Sequence, residues 1–130
     1  MSYKLNVPEK DVLGKNKYVS KAGETECAEF VRQAASAPHT IGWRQGVKVA
    51  NAKSGTIARG TAIATFDAKG RYPVDSRGKH AAIYLSHDAF KITVFDQWND
   101  QGEVKERPIY FNRPKGTRRS NDADTFYVIE

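Results

Sequence analysis

A second cysteine is missing from this 130-residue chain. One thiol, Cys27, cannot close an intramolecular disulfide and cannot build a multi-thiolate metal centre. CxxC and HxxxH pairs are absent, and three scattered histidines, His39, His80 and His87, do not make a zinc cage. No metal and no cofactor are therefore expected. No run approaches the roughly 18 apolar residues of a membrane helix, so membrane insertion is not expected. The first residues lack an apolar core segment, so no signal peptide is expected and synthesis in a cytosol is. Gly42, Gly46, Gly55 and Gly60 lack the spacing of a phosphate-binding loop. Repeats, low-complexity tracts and linkers are missing too. Acidic residues are outnumbered, 15 against 21 Lys and Arg, giving a net charge of +6. Such a surplus draws a protein towards polyanions: nucleic acid, anionic membrane or cell-wall polymer. The densest basic run, Arg113-Pro114-Lys115-Gly116-Thr117-Arg118-Arg119, reads as a solvated loop between strands or as a polyanion contact.

What is present suits one small domain over 1–130, with hydrophobic residues at 39% and residues 1–22 irregular. Apolar positions Cys27, Phe30, Val31, Ala34 and Ala35 recur at helical spacing, predicting a helix over 25–37 that Pro38 stops. A short strand is predicted over 47–50 and another over 61–66, with the turn Asp67-Ala68-Lys69-Gly70. A polar loop over 71–79 leads to strands over 80–86 and 90–96, with further strands over 107–112 and 125–129. One early helix and a later run of strands predict an α+β domain, a helix packed on a mostly antiparallel sheet.

Cys27 falls in the first turn of the predicted helix, where unpaired N–H groups and the helix dipole favour a thiolate. Periodicity by itself reads it as a core thiol, because it shares a face with Phe30, Val31 and Ala34. His80 is more telling, a polar residue opening an otherwise apolar strand. A three-residue turn at His87-Asp88-Ala89 predicts Ser86 opposite Phe90, Tyr84 opposite Ile92, Ala82 opposite Val94 and His80 opposite Asp96. Opposed residues share a face about 5 Å apart, so Asp96 would orient the imidazole and leave its other nitrogen for Cys27. A one-residue slip would send Asp96 to the other face. Its bland reading is a strand-end carboxylate in a turn. Trp98, two residues on, is a candidate cleft wall.

The blocks GE-x-E-C-A-E-F-V, G-T-A-I-A-T-F-D-x-x-G-R-Y-P, G-K-H-A-A-I-Y-L, V-F-D-Q-W and S-N-D-A-D-T-F-Y-V-I-E run in that order. Together, over residues 21–130, they resemble the second family of type VI secretion amidase effectors, whose relatives include versions domesticated by ticks. The wider relatives are the NlpC-type and CHAP-type cysteine peptidases of papain-like fold. The resemblance implies a peptidoglycan hydrolase cutting the cross-link between D-alanine and meso-diaminopimelate. It implies Cys27 as nucleophile, His80 as general base and Asp96 as a less fixed third member. It also implies a secretion apparatus that exports the protein from the bacterial cytoplasm into a neighbour's periplasm, and a cognate immunity protein in the producer. A single cysteine and no signal peptide favour the bacterial branch. Tyr18 is a candidate second oxyanion donor beside the Cys27 N–H. Arg71, with Arg77 and Lys79, is a candidate for meeting wall-peptide carboxylates.

Two rivals stand. One is a non-catalytic basic module for wall polymer or nucleic acid, using the 113–119 loop with Trp43 and Trp98 as stacking platforms. Aromatics that are not interleaved with the basic run argue against it, and no nucleic acid partner is expected. The other is a hydrolase of the γ-D-glutamyl–diaminopimelate bond.

Overall fold

A computed structural model describes residues 2–75 and 77–130. Met1 and, within the loop read over 71–79, Ser76 lie outside the described residues. The elements are β1 (Gly14–Lys15), α1 (Cys27–Ala34), β2 (Gln45–Lys48), β3 (Ala62–Thr65), β4 (Ala81–His87), β5 (Lys91–Asp96), β6 (Glu103–Tyr110) and β7 (Phe126–Ile129), joined by short 3₁₀ turns. The strands form one sheet in the order β1-β6-β5-β4-β3-β7-β2, with neighbouring strands antiparallel throughout. One helix on an antiparallel sheet is the α+β class that the sequence predicts.

The helix is shorter than its pattern suggests. It ends at Ala34 because Ser36 takes a left-handed φ of 52°, which breaks the ladder before Pro38 is reached. The strand expected over 47–50 begins two residues earlier, and Val49 already starts a 3₁₀ turn. The strand expected over 107–112 instead spans Glu103–Tyr110, because charged residues alternate through its first half. Pro108 sits within it opposite Thr93, where its missing N–H costs nothing: β1 covers only Glu103 and Val104 on the other side.

Both sheet faces are buried at β3 and β4, which explains their nearly continuous apolar sequences. One face packs Ala62, Ala64, Ala81, Ile83 and Leu85 against Phe30, Val31 and Ala34 of α1. The other gathers Ile63, Ala82, Tyr84, Ile92, Val94, Ile109 and Phe126 under the 3₁₀ turns. Burying a side chain of this size contributes roughly 1.5–3 kcal/mol. The lone helix is therefore held in place by its apolar stripe, and that fixes where its first residue points.

The β4–β5 register departs from the expected one. Near the turn, His87 pairs with Ile92 and Ser86 with Thr93; beyond an irregularity between Tyr84 and Ser86, Tyr84 pairs with Val94 and Ile83 with Phe95. Continued inward, the first register would set Asp96 opposite Ile83, on the wrong face for His80. The bulge at Leu85 shifts the ladder by one residue, and continuation then sets Asp96 opposite Ala82. His80 and Asp96 share a face as expected, but as diagonal neighbours rather than directly opposed. The expected pairing of His80 with Asp96 across the ladder is thus corrected, because the turn is longer and the bulge absorbs the odd residue.

Candidate active site

Cys27 is the first residue of α1, with Glu26 in extended conformation as its cap. Its N–H belongs to the first turn, whose donors have no intrahelical partner. It is half-buried and lines a surface hollow with Tyr72 and Trp98, whereas Phe30, Val31 and Ala34 belong to the core. The core-thiol reading drawn from periodicity therefore fails at this position. The cap carbonyl is pinned from outside the helix: Gln97 Nε2 donates to Glu26 O at 2.9 Å and to Tyr18 O at 2.8 Å. Gln97 is fully buried, so the end of β5 holds the helix start directly.

His80 lies just before the central strand β4, only 3% exposed. Its Nε2 is 2.7 Å from Asp96 Oδ2, and its ring meets Trp98 and Phe126 edge-on. Its backbone is clamped to Thr65, whose hydroxyl accepts the His80 N–H at 3.1 Å. Gly78 makes the approach possible. Its φ is +98°, and a Cβ there would come within 3.1 Å of the Arg119 and Ser120 nitrogens.

Cys27 and His80 act on each other electrostatically. Burial pushes the thiol up, but hydrogen bonding and charge from His80, with smaller help from Tyr72 and the Ala81 backbone, bring it down to about 7. Burial pushes the imidazole down, but Asp96 and the Cys27 thiolate raise it to about 9. Between these values the pair is held as thiolate and imidazolium.

Two adjoining hollows flank the pair. One, of about 380 Å³, is lined by Cys27, Glu29, Arg32, His39, Tyr72 and Trp98, among others. The other, of about 300 Å³, is lined by Lys79, His80, Trp98, Arg107, Ser120 and Asn121. Lys79 and Trp98 belong to both, so they stand between the two hollows. A larger hollow, about 550 Å³, lies elsewhere around His87 and Phe111. His87 is not a spare base there: Tyr84 Oη and Ala52 O engage its two nitrogens at 2.5 and 2.8 Å.

Other expected contributors stand apart. Tyr18 packs its ring on Phe30, with centroids 5.0 Å apart, and lines neither cleft hollow. Arg71 is exposed and also lines neither. Trp43 is buried, donates to Pro38 O and packs on Tyr72, so it offers no face for a stacked base. In the basic run, Arg119 is already paired with Asp75 at 2.6 Å.

The sequence reading missed Tyr72, Gln97 and Arg107. Tyr72 Oη lies 3.5 Å from Cys27 Sγ. Burial and the neighbouring thiolate drive the phenol well above its ordinary range, so it remains a donor. Its Tyr-Pro setting after a turn reads as loop, with no periodicity to flag it. Arg107 ends the charged run Lys105-Glu106-Arg107 on β6, which disguises it as a solvated position.

Known proteins resemble this chain over most of its length. The family model for domesticated amidase effector 2 matches residues 5–129. A type VI secretion amidase effector 2 protein of Salmonella typhi is 36% identical in an alignment of 115 positions that covers 81% of this chain and 84% of that protein. Domesticated amidase effector 2 of Ixodes scapularis is 32% identical over 117 residues, 88% of this chain and 77% of that one. A solved structure of type 6 secretion amidase effector 2 superposes with a TM-score of 0.78 at 31% identity, covering 97% of this chain and 93% of the other.

Proposed function

We propose, from the premise that this chain belongs to the amidase effector 2 family, that it is a cysteine amidase of one catalytic domain that cuts the D-alanine–meso-diaminopimelate cross-link. At the coarser level it is a peptidoglycan amidase and a secreted antibacterial effector of type VI secretion. The observation that carries the cysteine mechanism is the meeting of three groups at a cleft. Cys27 opens α1, and His80, engaged by Asp96 at 2.7 Å, shifts the thiol down to about 7.

In this reading, Asp96 engages Nε2 and leaves Nδ1 of His80 for the thiol. The Cys27 thiolate attacks the scissile carbonyl carbon, and the π electrons move to the oxygen. The Cys27 N–H and the Tyr72 hydroxyl are the donors that meet the oxyanion, Tyr72 taking the place considered for Tyr18. Collapse expels the amine, which takes the imidazolium proton. Neutral His80 then removes a proton from water, hydroxide attacks the thioester, and the thiolate and imidazolium are restored. Trp98 supplies an apolar wall for the wall peptide. The protein acts in the periplasm of the target cell, and an immunity protein blocks the cleft in the producer.

Digestion of purified peptidoglycan with identification of fragment masses tests the bond. Cross-linked dimers are expected to become monomers that retain intact stem peptides. Stems severed after D-glutamate would replace this reading with the γ-D-glutamyl–diaminopimelate alternative.

Asp96→Asn is expected to stay folded and to lower turnover roughly tenfold or more, because an amide presents the wrong hydrogen-bonding pattern to the imidazole. Asp96→Ala is expected to lose activity as well. Native turnover in both, with unchanged thermal unfolding, would reduce the site to a Cys27–His80 dyad.

A further inference from the structure

We infer that Arg107 is a positioning residue of the proposed amidase site, fixing through Asp96 the orientation in which His80 faces Cys27. The inference rests on the cysteine-amidase reading above. Arg107 stands on β6 opposite Val94 of β5, two residues from Asp96 and on the same face. Its Nε donates to Asp96 Oδ2 at 2.6 Å, the same oxygen that engages His80 Nε2. Asp96 Oδ1 is buried and has no hydrogen-bond partner among the described residues. The carboxylate is therefore held through one oxygen alone. Without Arg107, only His80 would hold it, and the carboxylate plane would be free to turn about the Cβ–Cγ bond. Arg107 fixes that plane, and so the direction in which the imidazole is held and where its other nitrogen points.

The guanidinium is itself fixed. Its carbon lies 4.9 Å from the Trp98 ring centroid, a cation–π contact, and its side chain is 21% exposed. One residue thus ties the cleft wall to the third member of the site. A buried carboxylate with a single hydrogen-bonded imidazole would be costly, and the guanidinium completes its charge compensation.

Arg107 also opposes the imidazolium, since a terminal guanidinium nitrogen lies 3.5 Å from His80 Nε2. The charged or titratable groups that face His80 are Cys27 from α1, Asp96 from β5 and Arg107 from β6. Trp98 and Phe126 add uncharged ring edges, Tyr72 acts through Cys27, and Lys79 is the exposed chain neighbour. Removing one positive charge from this set strengthens the hold of His80 on its proton. A merely structural role for Arg107 would leave that hold unchanged.

The test uses Arg107→Met, which keeps an apolar stem, with Arg107→Lys, Asp96→Ala and the Arg107→Met/Asp96→Ala double variant, on soluble cross-linked muropeptide dimers. Arg107→Met is expected to lower kcat about tenfold with KM little changed. The alkaline limb of its rate profile is expected to move up by about one pH unit. Arg107→Lys is expected to recover part of kcat and keep the native limb. The double variant is expected to be no slower than Asp96→Ala, because Arg107 acts through Asp96. A loss confined to KM, an unmoved limb, or an equal further loss in the Asp96→Ala background would overturn the inference. If Arg107→Met does not fold, Arg107→Gln takes its place in every comparison. If the native protein leaves the dimers intact, the amidase reading itself fails. Alkylation of Cys27 by iodoacetamide then decides about Arg107: an unchanged pH profile in Arg107→Met overturns its role, and a shifted one upholds it.

Discussion

Cys27→Ala protein is expected to cut no cross-link in purified peptidoglycan while unfolding within a few degrees of the native temperature. The two halves of that result have separate causes. Removing Sγ removes the only thiol in the chain, and no neighbouring hydroxyl is activated to replace it: the Tyr72 phenol is held strongly protonated. Loss of a nucleophile that forms the covalent intermediate costs on the order of a thousandfold or more in kcat. Stability is expected to change little, by about 1 kcal/mol or less, because the side chain faces a cleft and Phe30, Val31 and Ala34 carry the core contacts of α1. Alanine is also a good helix former, and position 27 needs no side-chain cap. Wall hydrolysis is read as newly freed amino groups, or as the masses of muropeptides after a muramidase has cut the glycan, and unfolding by near-UV circular dichroism. Hydrolysis near native levels in the alanine protein would end the nucleophile assignment, and a collapsed melting curve would leave Cys27 as a packing residue.

The second large effect is expected from His80→Ala, and it is expressed in thiol chemistry before any substrate is added. In the native protein the thiol is brought down to about 7, against the opposing effect of burial, chiefly by His80. Without the imidazole, burial remains and the main compensation is gone, so the thiol moves to or above its ordinary value near 9. At pH 7 the thiolate fraction then falls from about half to about one hundredth, and iodoacetamide modification slows about fiftyfold. The sign follows from which form reacts. Native alkylation is expected to rise as pH rises through about 7, and that of the variant only as pH approaches 9 and beyond. Hydrolysis is expected to fall further than alkylation does, because His80 also gives its proton to the leaving amine and takes one from water. In the native protein, hydrolysis is expected to be confined to the interval between about 7 and about 9, rising as the thiol ionises and falling as His80 loses its proton. The variant has a good prospect of folding. Asp96 keeps Arg107 as an ionic partner at 2.6 Å, so deleting the ring does not strand a buried charge. Alkylation that is fast at pH 7 in His80→Ala would assign the thiol's activation to the helix start instead.

The catalytic candidates were legible from unequal kinds of signal. Cys27 stood out by number, as the one thiol, and by its place before an apolar helical stripe. His80 stood out as a polar residue at the head of a strand whose other positions are apolar. Turn length and parity set Asp96 on the face of His80, and the structure keeps it on that face through a different register. The turn closes on Ile92 opposite His87, and the bulge at Leu85 returns the ladder to the parity that brings Asp96 near His80. Local sequence does not announce such a bulge, because Leu85 fits a regular strand as well as an irregular one.

Arg107, Gln97 and Tyr72 were not legible at all. Each is polar, flanked by polar or turn-forming neighbours, and ordinary by composition. Gln97 is buried because the end of β5 runs under the cap of α1, where it meets Glu26 O and Tyr18 O. Tyr72 reaches Cys27 across 45 residues, and Arg107 reaches Asp96 from the next strand. Conversely Tyr18 is a candidate donor by its place nine residues before Cys27, and Trp43 a stacking platform in the binding-module reading, and the fold packs Tyr18 on Phe30 and Trp43 on Tyr72.

The chain by itself therefore determined the α+β class and an early helix with the thiol in its first turn, and it singled out Cys27 and His80 as candidates. Those follow from periodicity and residue type, which act over a few neighbouring positions. Tertiary structure alone decided which polar side chains were taken out of water and set within hydrogen-bonding distance of one another. The reason is that such contacts depend on sheet order, on a bulge and on a helix anchored by Phe30 and Val31. A shift of one residue in any of these moves a carboxylate to the far side of the sheet, with no change in sequence to mark it.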